Sequence, residues 1–388
     1  MKNKALAVLF LTIFLDLMGF GLIIPILPTY AKTLGATDAM VGLLGTSFSI
    51  MQFMFASFWG GLSDRYGRRP IMLISIAIMI IAYVLFANAT VLWLLFATRM
   101  LKGFGAANLS VAQAYISDVV PKENRTKAFG IIGAAFGLGF IFGPSIGGVL
   151  NEYYGVQGVG YFAAALGVVN LLSAYFFLGE TLQVKSDKAI LFPNPFKDII
   201  RFRSIYEVNA LFTINFVYIL GFSMMQITST LLWAEHFGLS EMHIGYTFAY
   251  IGLLAVIIQG GLIGQFNKWF GERNLLVFGT ILVAVGLFTM PFAPTDRFYF
   301  ELLSLTLLSF GNALLTPTVS TLLTTLAPED AQGKILGTNQ SVGSLARVVG
   351  PAIGGLVYGW HYTYPYVLSG SITLIVSVLA IRLRRKMY

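Results

Sequence analysis

Twelve apolar runs of roughly twenty residues or more divide this chain of 388 residues, at 5–31, 39–61, 71–88, 91–117, 128–150, 159–179, 206–234, 242–266, 274–293, 298–326, 334–358 and 363–381. A helix needs roughly 20 apolar residues to cross the hydrocarbon of a bilayer. Lipid offers no hydrogen bonds, so each backbone N–H and C=O must be satisfied within the segment, and runs of this length are expected to be spanning helices. The composition agrees, with 57% hydrophobic and 11% charged residues, against about a quarter charged in an ordinary soluble domain. So few charges do not cover a soluble surface. The chain has no cysteine, which removes disulfides and thiolate metal sites. Lys2 and Lys4 before an apolar run imitate a signal peptide. That run contains Asp16, passes Pro25 and has no small-residue cleavage site, so it is read as a retained first span.

The formal charge of +8 is compatible with nucleic-acid binding, but its placement points to topology. Of the 25 lysines and arginines, twenty lie at the termini or in the loops on the same side as the termini, while the opposite loops hold Lys32 and Arg297. Basic loops stay inside, so both termini are expected in the cytoplasm. The expected location is the inner (cytoplasmic) membrane, crossed many times. The remaining three bases, Arg99, Lys102 and Arg347, fall within spans.

The two halves are related. PKENRTKAFG at 121–130 and GPSIGGVL at 143–150 return as PEDAQGKILG at 328–337 and GPAIGGLV at 350–357, at one offset of 207 residues. The longest hydrophilic stretch, 180–205, holds five basic residues with Pro193 and Pro195. The expected organisation is a six-helix bundle at 1–180, a cytoplasmic linker at 181–205 and a second six-helix bundle at 206–388. Parallel six-span repeats are the arrangement of major facilitator transporters.

LDLMGFGLIIPILP (15–28), GGLSDRYGRRP (60–70), RMLKGFGAA (99–107), SDVVPKENRTKAFG (117–130), GFIFGPSIGG (139–148) and LGETL (178–182) carry a family resemblance. Over its whole length the chain resembles the major facilitator superfamily. Within it, the chain is similar to the twelve-span drug:proton antiporters and most of all to the tetracycline-exporter-like branch. The implied fold is all-α, with twelve transmembrane helices in two pseudo-symmetric six-helix bundles. The implied activity is secondary active transport, a proton-coupled efflux of amphipathic drugs by alternating access. The alternative is a facilitator, symporter or exchanger of a small, anionic metabolite.

The resemblance also assigns roles. GGLSDRYGRRP becomes a cytoplasmic gate, with Asp64, Arg65, Arg68 and Arg69. It places Asp64 under the N-terminal end of span 11 and pairs Arg68 with Asp118 and Glu180. The bland alternative is a charge cluster that only holds the loop inside. Arg99 matches the arginine of the family's RxxxG motif and takes a proton-coupling role, or else anchors neighbouring helices. Gly139, Gly143, Pro144, Gly147 and Gly148 form the antiporter motif. The glycines at every fourth position permit close helix packing, and the proline bends its helix.

Asp16 lies about 16 Å along span 1 at 1.5 Å per residue. Burial at that depth penalises the charged form, which suits a group that loads and releases a proton or meets a cationic substrate. A helix-packing carboxyl is the other reading. Lys102 either snorkels or lines a cavity. Glu301 and Glu207, near the ends of their spans, read as interfacial. Tetracycline exporters carry further membrane acids in spans 3 and 9. Here Ala82 occupies the span 3 position and span 9 has none, which leaves Asp16 as the one deep acid expected.

The expected substrate cavity is apolar with scattered polar groups: Asn108, Gln113, Asn215, Tyr218, Gln226, Tyr250, Asn312 and Arg347. No GxxxxGK[ST] or HExxH occurs in the sequence, so the chain reads as a transporter driven by a gradient, not an enzyme. No cofactor and no metal are expected. The expected partners are a small-molecule substrate, protons and the lipid bilayer, with no nucleic acid, in a monomer.

Overall fold

The computed structural model describes residues 2–106, 108–119, 125–182, 205–326 and 332–386. The linker residues 183–204 lie outside them, as do the side chains of Asn108 and Gln113. Every regular element among the described residues is helical. The helices are α1 (Lys2–Ile23), α2 (Leu27–Thr33), α3 (Asp38–Tyr66), α4 (Arg68–Ala87), α5 (Leu92–Gly105), α6 (Asn108–Val119) and α7 (Arg125–Phe177). They continue as α8 (Tyr206–Leu231), α9 (Glu241–Ile257), α10 (Ile263–Phe270), α11 (Glu272–Thr289), α12 (Tyr299–Leu326), α13 (Gln332–Tyr358) and α14 (Tyr364–Lys386).

Eight of the described helices are long and apolar enough to cross a membrane by themselves, and the α1–α2 pair, bent at 40°, makes a ninth span. Pro25 sits in that bend and Pro28 opens α2, where a missing N–H is harmless. The 53-residue α7 is two spans joined at Gly155, whose φ of 64° and ψ of −176° turn the chain. A single α5–α6 span, broken after Gly105, and a single α9–α10 span, interrupted by a π turn at Ile258–Leu262, bring the count to twelve.

A broken helix in lipid must have its loose carbonyls bonded by neighbours. At the α5–α6 break, Trp59 Nε1 donates to the Phe104 carbonyl at 2.6 Å and Gln52 Nε2 to that of Ala106 at 3.5 Å. Ser75 Oγ donates to the Gly105 carbonyl. Three side chains from α3 and α4 therefore hold open a break that begins one turn after Lys102.

The helices cluster into two units. One comprises 1–36, 47–193 and 239–249; the other comprises 37–46, 194–238 and 250–388. In the first, Gly139, Gly143 and Gly147 present bare backbone to α1, against Leu17, Gly21 and Leu22. Gly148 meets the start of α9 at Glu241 and Met242. The second unit repeats the plan 207 residues on. Gly350 and Gly354 meet Leu220, Ser223 and Met224 of α8, and Gly355 meets Asp38 and Gly42 of α3. Within each unit, one face of the Gly-Pro helix grips the first span of its own repeat. The next position along meets a helix start that comes from the other repeat in sequence.

A side chain at Gly147 would run into the Leu22 carbonyl, which is backbone and cannot swing away, whereas Gly60 has nothing within 4 Å. Overpacking of this kind costs about 1–3 kcal/mol. Gly147→Val is expected to lower the melting temperature of the purified protein, and Gly60→Ala to leave it unchanged or slightly higher. Equal effects of the two substitutions would contradict this packing.

Candidate functional site

The motif loop is built around two acids. Gly67 joins α3 to α4 with φ 115°, a conformation natural to glycine. A Cβ there would strike the Glu180 carboxylate. That carboxylate sits on the N-terminus of α4, accepting from the backbone N–H of Arg68 at 3.0 Å and of Arg69 at 3.2 Å. It also accepts from the N–H groups of Thr181 and Leu182, each at 2.9 Å. Burial pushes the Glu180 acid upward, but these four donors outweigh it and hold the group below the usual carboxylate range. An anion at a helix N-terminus is favoured by the exposed N–H groups and by the helix dipole.

The Arg68 side chain, 8% exposed, takes the second acid. Its Nε lies 3.0 Å from Asp118 Oδ2, and its Nη1 lies 2.5 Å from Asp64 Oδ1 and 2.7 Å from Ser63 Oγ. Thr181 Oγ1 closes the ring by donating to the same Asp118 oxygen at 3.0 Å. Arg69 turns away to the Tyr175 carbonyl, 2.5 Å from Nη2, and Arg65 lies over the Tyr66 ring. The Arg68–Asp118 pairing expected from the sequence is present. Glu180, however, is held by the backbone N–H of Arg68 and not by its guanidinium, because the tight turn at Gly67 aims the first turn of α4 at it. Asp64 is engaged by Arg68, four residues on in the chain.

Inside the first unit, Asp16 of α1 and Lys102 of α5 form an ion pair at 3.4 Å. Lys102 is 4% exposed. Its ammonium donates to the Tyr83 hydroxyl and lies 3.4 Å from Met79 Sδ, both on α4. It also stands 4.0 Å from the centre of the Tyr83 ring. Gly19, one turn past Asp16, makes the room, since a Cβ there would touch the Tyr83 hydroxyl. Arg99 lies one turn before Lys102. Its guanidinium stands 4.7 Å from the Phe48 ring and 5.8 Å from the Phe20 ring. Its Nε is buried without a hydrogen-bond partner among the described residues.

In the second unit, Arg347 Nη2 lies 3.4 Å from Ser344 Oγ. Asn215 Nδ2 donates to the Asn339 carbonyl at 3.2 Å, Tyr218 meets Thr316 at 3.3 Å, and Tyr250 meets Thr306 at 2.7 Å. Gln226 and Asn312 are partly buried. Glu301 departs from its expected interfacial place. No part of it is exposed, and it accepts from Trp233 Nε1 at 2.7 Å. Its position near the end of a span indicates depth in the bilayer and says nothing of which way the side chain faces. Asp16, partly buried, is therefore not the sole acid within the spans.

The sequence reading also passed over Tyr83. Ala82 is buried and brings no polar atom, and the polar group that span 3 contributes is the hydroxyl one residue on. A tyrosine in an apolar run has no distinctive signal. Only the spacing of Asp16 and Gly19, one turn apart on α1, hints that something is accommodated beside the acid.

A twelve-span bundle made of two repeats, with an ion pair inside one of them and a charged turn between its second and third spans, defines a secondary transporter. The Major Facilitator Superfamily model matches residues 9–296 and 211–387; the chain belongs to this family. The tetracycline resistance protein, class C, of Escherichia coli is 32% identical over 92% of this chain and 90% of its own length. Multidrug resistance protein 2 of Bacillus subtilis (strain 168) is 28% identical over 96% of this chain and 94% of its own. Among solved structures, the human organic anion transporter MFSD10 (TETRAN) superposes with a TM-score of 0.75 at 24% identity, over 98% of this chain and 99% of that one.

Removing one partner of a buried pair costs about 3–5 kcal/mol, whereas removing both can be neutral. Lys102→Met is expected to destabilise the protein strongly, and Lys102→Met with Asp16→Asn to recover most of the loss. A double variant as unstable as the sum of the two singles would show that the pair is not a unit. At Glu180 the folded acid is lowered, so its stabilisation is full above the ordinary carboxylate range of about 4.3 and fades as pH falls through the lower folded value. Thermal unfolding should show Glu180→Gln below wild type at neutral pH, with the gap closing in acid. A gap that is constant with pH would contradict the four-donor cradle.

Proposed function

We propose that this chain exports amphipathic drugs or related small molecules across the inner membrane in exchange for protons, by alternating access. Both termini and the charged turn then lie in the cytoplasm, in line with the basic residues concentrated there. The relatives named as tetracycline and multidrug resistance proteins support the drug class. The single observation that carries the reading is the Asp16–Lys102 pair, inside the spans of the first unit. An ionisable group at that depth is costly and is functional by default.

In this mechanism Lys102 holds Asp16 charged and ready. A proton arriving at Asp16 neutralises the carboxylate, weakens the pair, and leaves the ammonium on the Tyr83 hydroxyl. A cationic drug competes for the same carboxylate, so proton and drug occupy it in turn. Arg99, one turn away on α5, sets the local positive field that opposes double occupancy. No covalent bond is made or broken in this cycle, and it calls for no cofactor or metal.

The turn at Gly67 supplies the gate. Its contacts join the buried Arg68 and the N-terminus of α4 to more exposed carboxylates, and charge–dipole contacts at a helix end are worth about 0.3–2 kcal/mol each, weak enough to break in each cycle. The glycines of the antiporter motif keep span 5 tight against α1, which holds Asp16 in place. In the second unit the substrate-facing wall is assigned to Asn215, Tyr218, Gln226, Tyr250, Asn312 and Arg347, few polar groups on an apolar wall.

A second reading has one observation behind it. Arg99 and Arg347 have no ion-pair partner among the described residues, which suits a substrate that carries a carboxylate or another anion. The test uses liposomes with an acidic interior and corrected orientation. Cationic dyes and drugs should move with the pH gradient, and Asp16→Asn should lose that dependence. Undiminished pH-driven flux in the variant would overturn the coupling role. Exchange of labelled anions that fails in Arg347→Ala, with no cation flux, would install the second reading.

A further inference from the structure

Glu301 stands apart from the groups used above. It lies in the first turn of α12, yet the protein's own helices cover it completely. One carboxyl oxygen, Oε1, accepts the indole N–H of Trp233 at 2.7 Å. The other, Oε2, has no hydrogen-bond partner, and no lysine, arginine or histidine pairs with the group among the described residues. An isolated carboxylate in such a place is expensive, and the usual escape is to take up a proton.

The surroundings point the same way. From α14, Tyr366 is fully buried and within electrostatic reach. Tyr358 of α13 and Glu235 are within electrostatic reach of Tyr366 too, and Asp38 within that of Tyr358. From α9, Tyr250 reaches α12 at Thr306, and α11 offers the neutral Thr289 at Ser304. Among the described residues these groups are acids, phenols and alcohols; His236, next to Glu235, stacks on Tyr362. Trp233 and Glu235 both sit on a π turn, Leu232–His236, at the end of α8, a distortion often found at functional sites. Tyr358 donates to the exposed Glu235 at 3.3 Å. The Tyr366 hydroxyl, like Glu301 Oε2, is buried without a hydrogen-bond partner among the described residues.

We propose that Glu301 is a second proton-binding site, in the second unit and separate from Asp16, which holds its proton on Oε2. Binding forms the Oε2–H bond with the carboxylate's electron pair, and release returns that pair to the carboxylate. The neutral acid keeps Oε1 as the carbonyl that Trp233 bonds. That the proton serves transport rests on the exporter reading; that it is bound does not.

Glutamine keeps an acceptor for Trp233 but holds no titratable proton, so it separates a proton site from a structural tie. Infrared spectra of the protein in lipid bilayers, taken across pH, report a protonated carboxyl directly. Wild type should show its carbonyl band at neutral pH. The band should be lost in Glu301→Gln, kept in Asp16→Asn, and moved to higher frequency in Trp233→Phe, where the hydrogen bond to the carbonyl is gone. Coincident spectra of wild type and Glu301→Gln at neutral pH would overturn the proposal, as would a band that Trp233→Phe does not move. A band present in liposomes where pH drives no drug would remove the exporter reading and leave the proton site standing.

Discussion

A charge inside an apolar bundle persists only beside groups that answer it, and the first unit is arranged around that requirement. Asp16 and Lys102 meet because three helices approach closely at this level. The approach of α7 to α1 depends on Gly139, Gly143 and Gly147, which bring backbone against backbone beneath the acid. The approach of α5 to α3 and α4 depends on Gly103 and Gly105, which face Phe48, Met51, Ile78 and Met79. Without those glycines the helices would stand further apart, and the ammonium would not reach both the carboxylate and the Tyr83 hydroxyl. The glycine motif and the charged pair are thus one device, the first setting the spacing on which the second relies.

The two repeats share that scaffold and differ in what they place on it. Both carry the Gly-Pro helix, and both use it to grip the first span of the repeat and the start of a helix from the other repeat. The first unit then holds a base-rich cluster of Asp16, Lys102 and Arg99. The second holds Glu301 under an indole, with phenols and acids beyond it. The scaffold is duplicated and the ionisable chemistry is not.

Much of this was legible in the residues. Twelve apolar runs, the offset of 207 and the loop motifs gave the fold and the family, because hydrocarbon leaves a chain so few alternatives. The Arg68–Asp118 contact followed from the motif. Facing direction was not legible. Glu301 near a span end and Lys102 beside Arg99 looked shallow or ambiguous, since position along a helix sets depth while the packing of neighbours sets burial. The partner of Lys102 on α4 was hidden for a similar reason: a tyrosine in an apolar run reads as bulk until a lysine is found against its hydroxyl. Glu180 shows a third limit. The motif paired it with an arginine side chain, but a positive-φ glycine turned the backbone N–H groups of α4 toward it instead.

The account turns on proton and drug competing for one carboxylate, and proton release on drug binding measures that competition directly. Purified protein in weakly buffered solution, acidic enough for Asp16 to carry its proton, would be titrated with a cationic drug while the pH is recorded, beside Asp16→Asn. The account predicts protons released as wild type binds the drug, and one fewer per bound drug from the variant. Equal release from the two proteins at equal drug occupancy would contradict it.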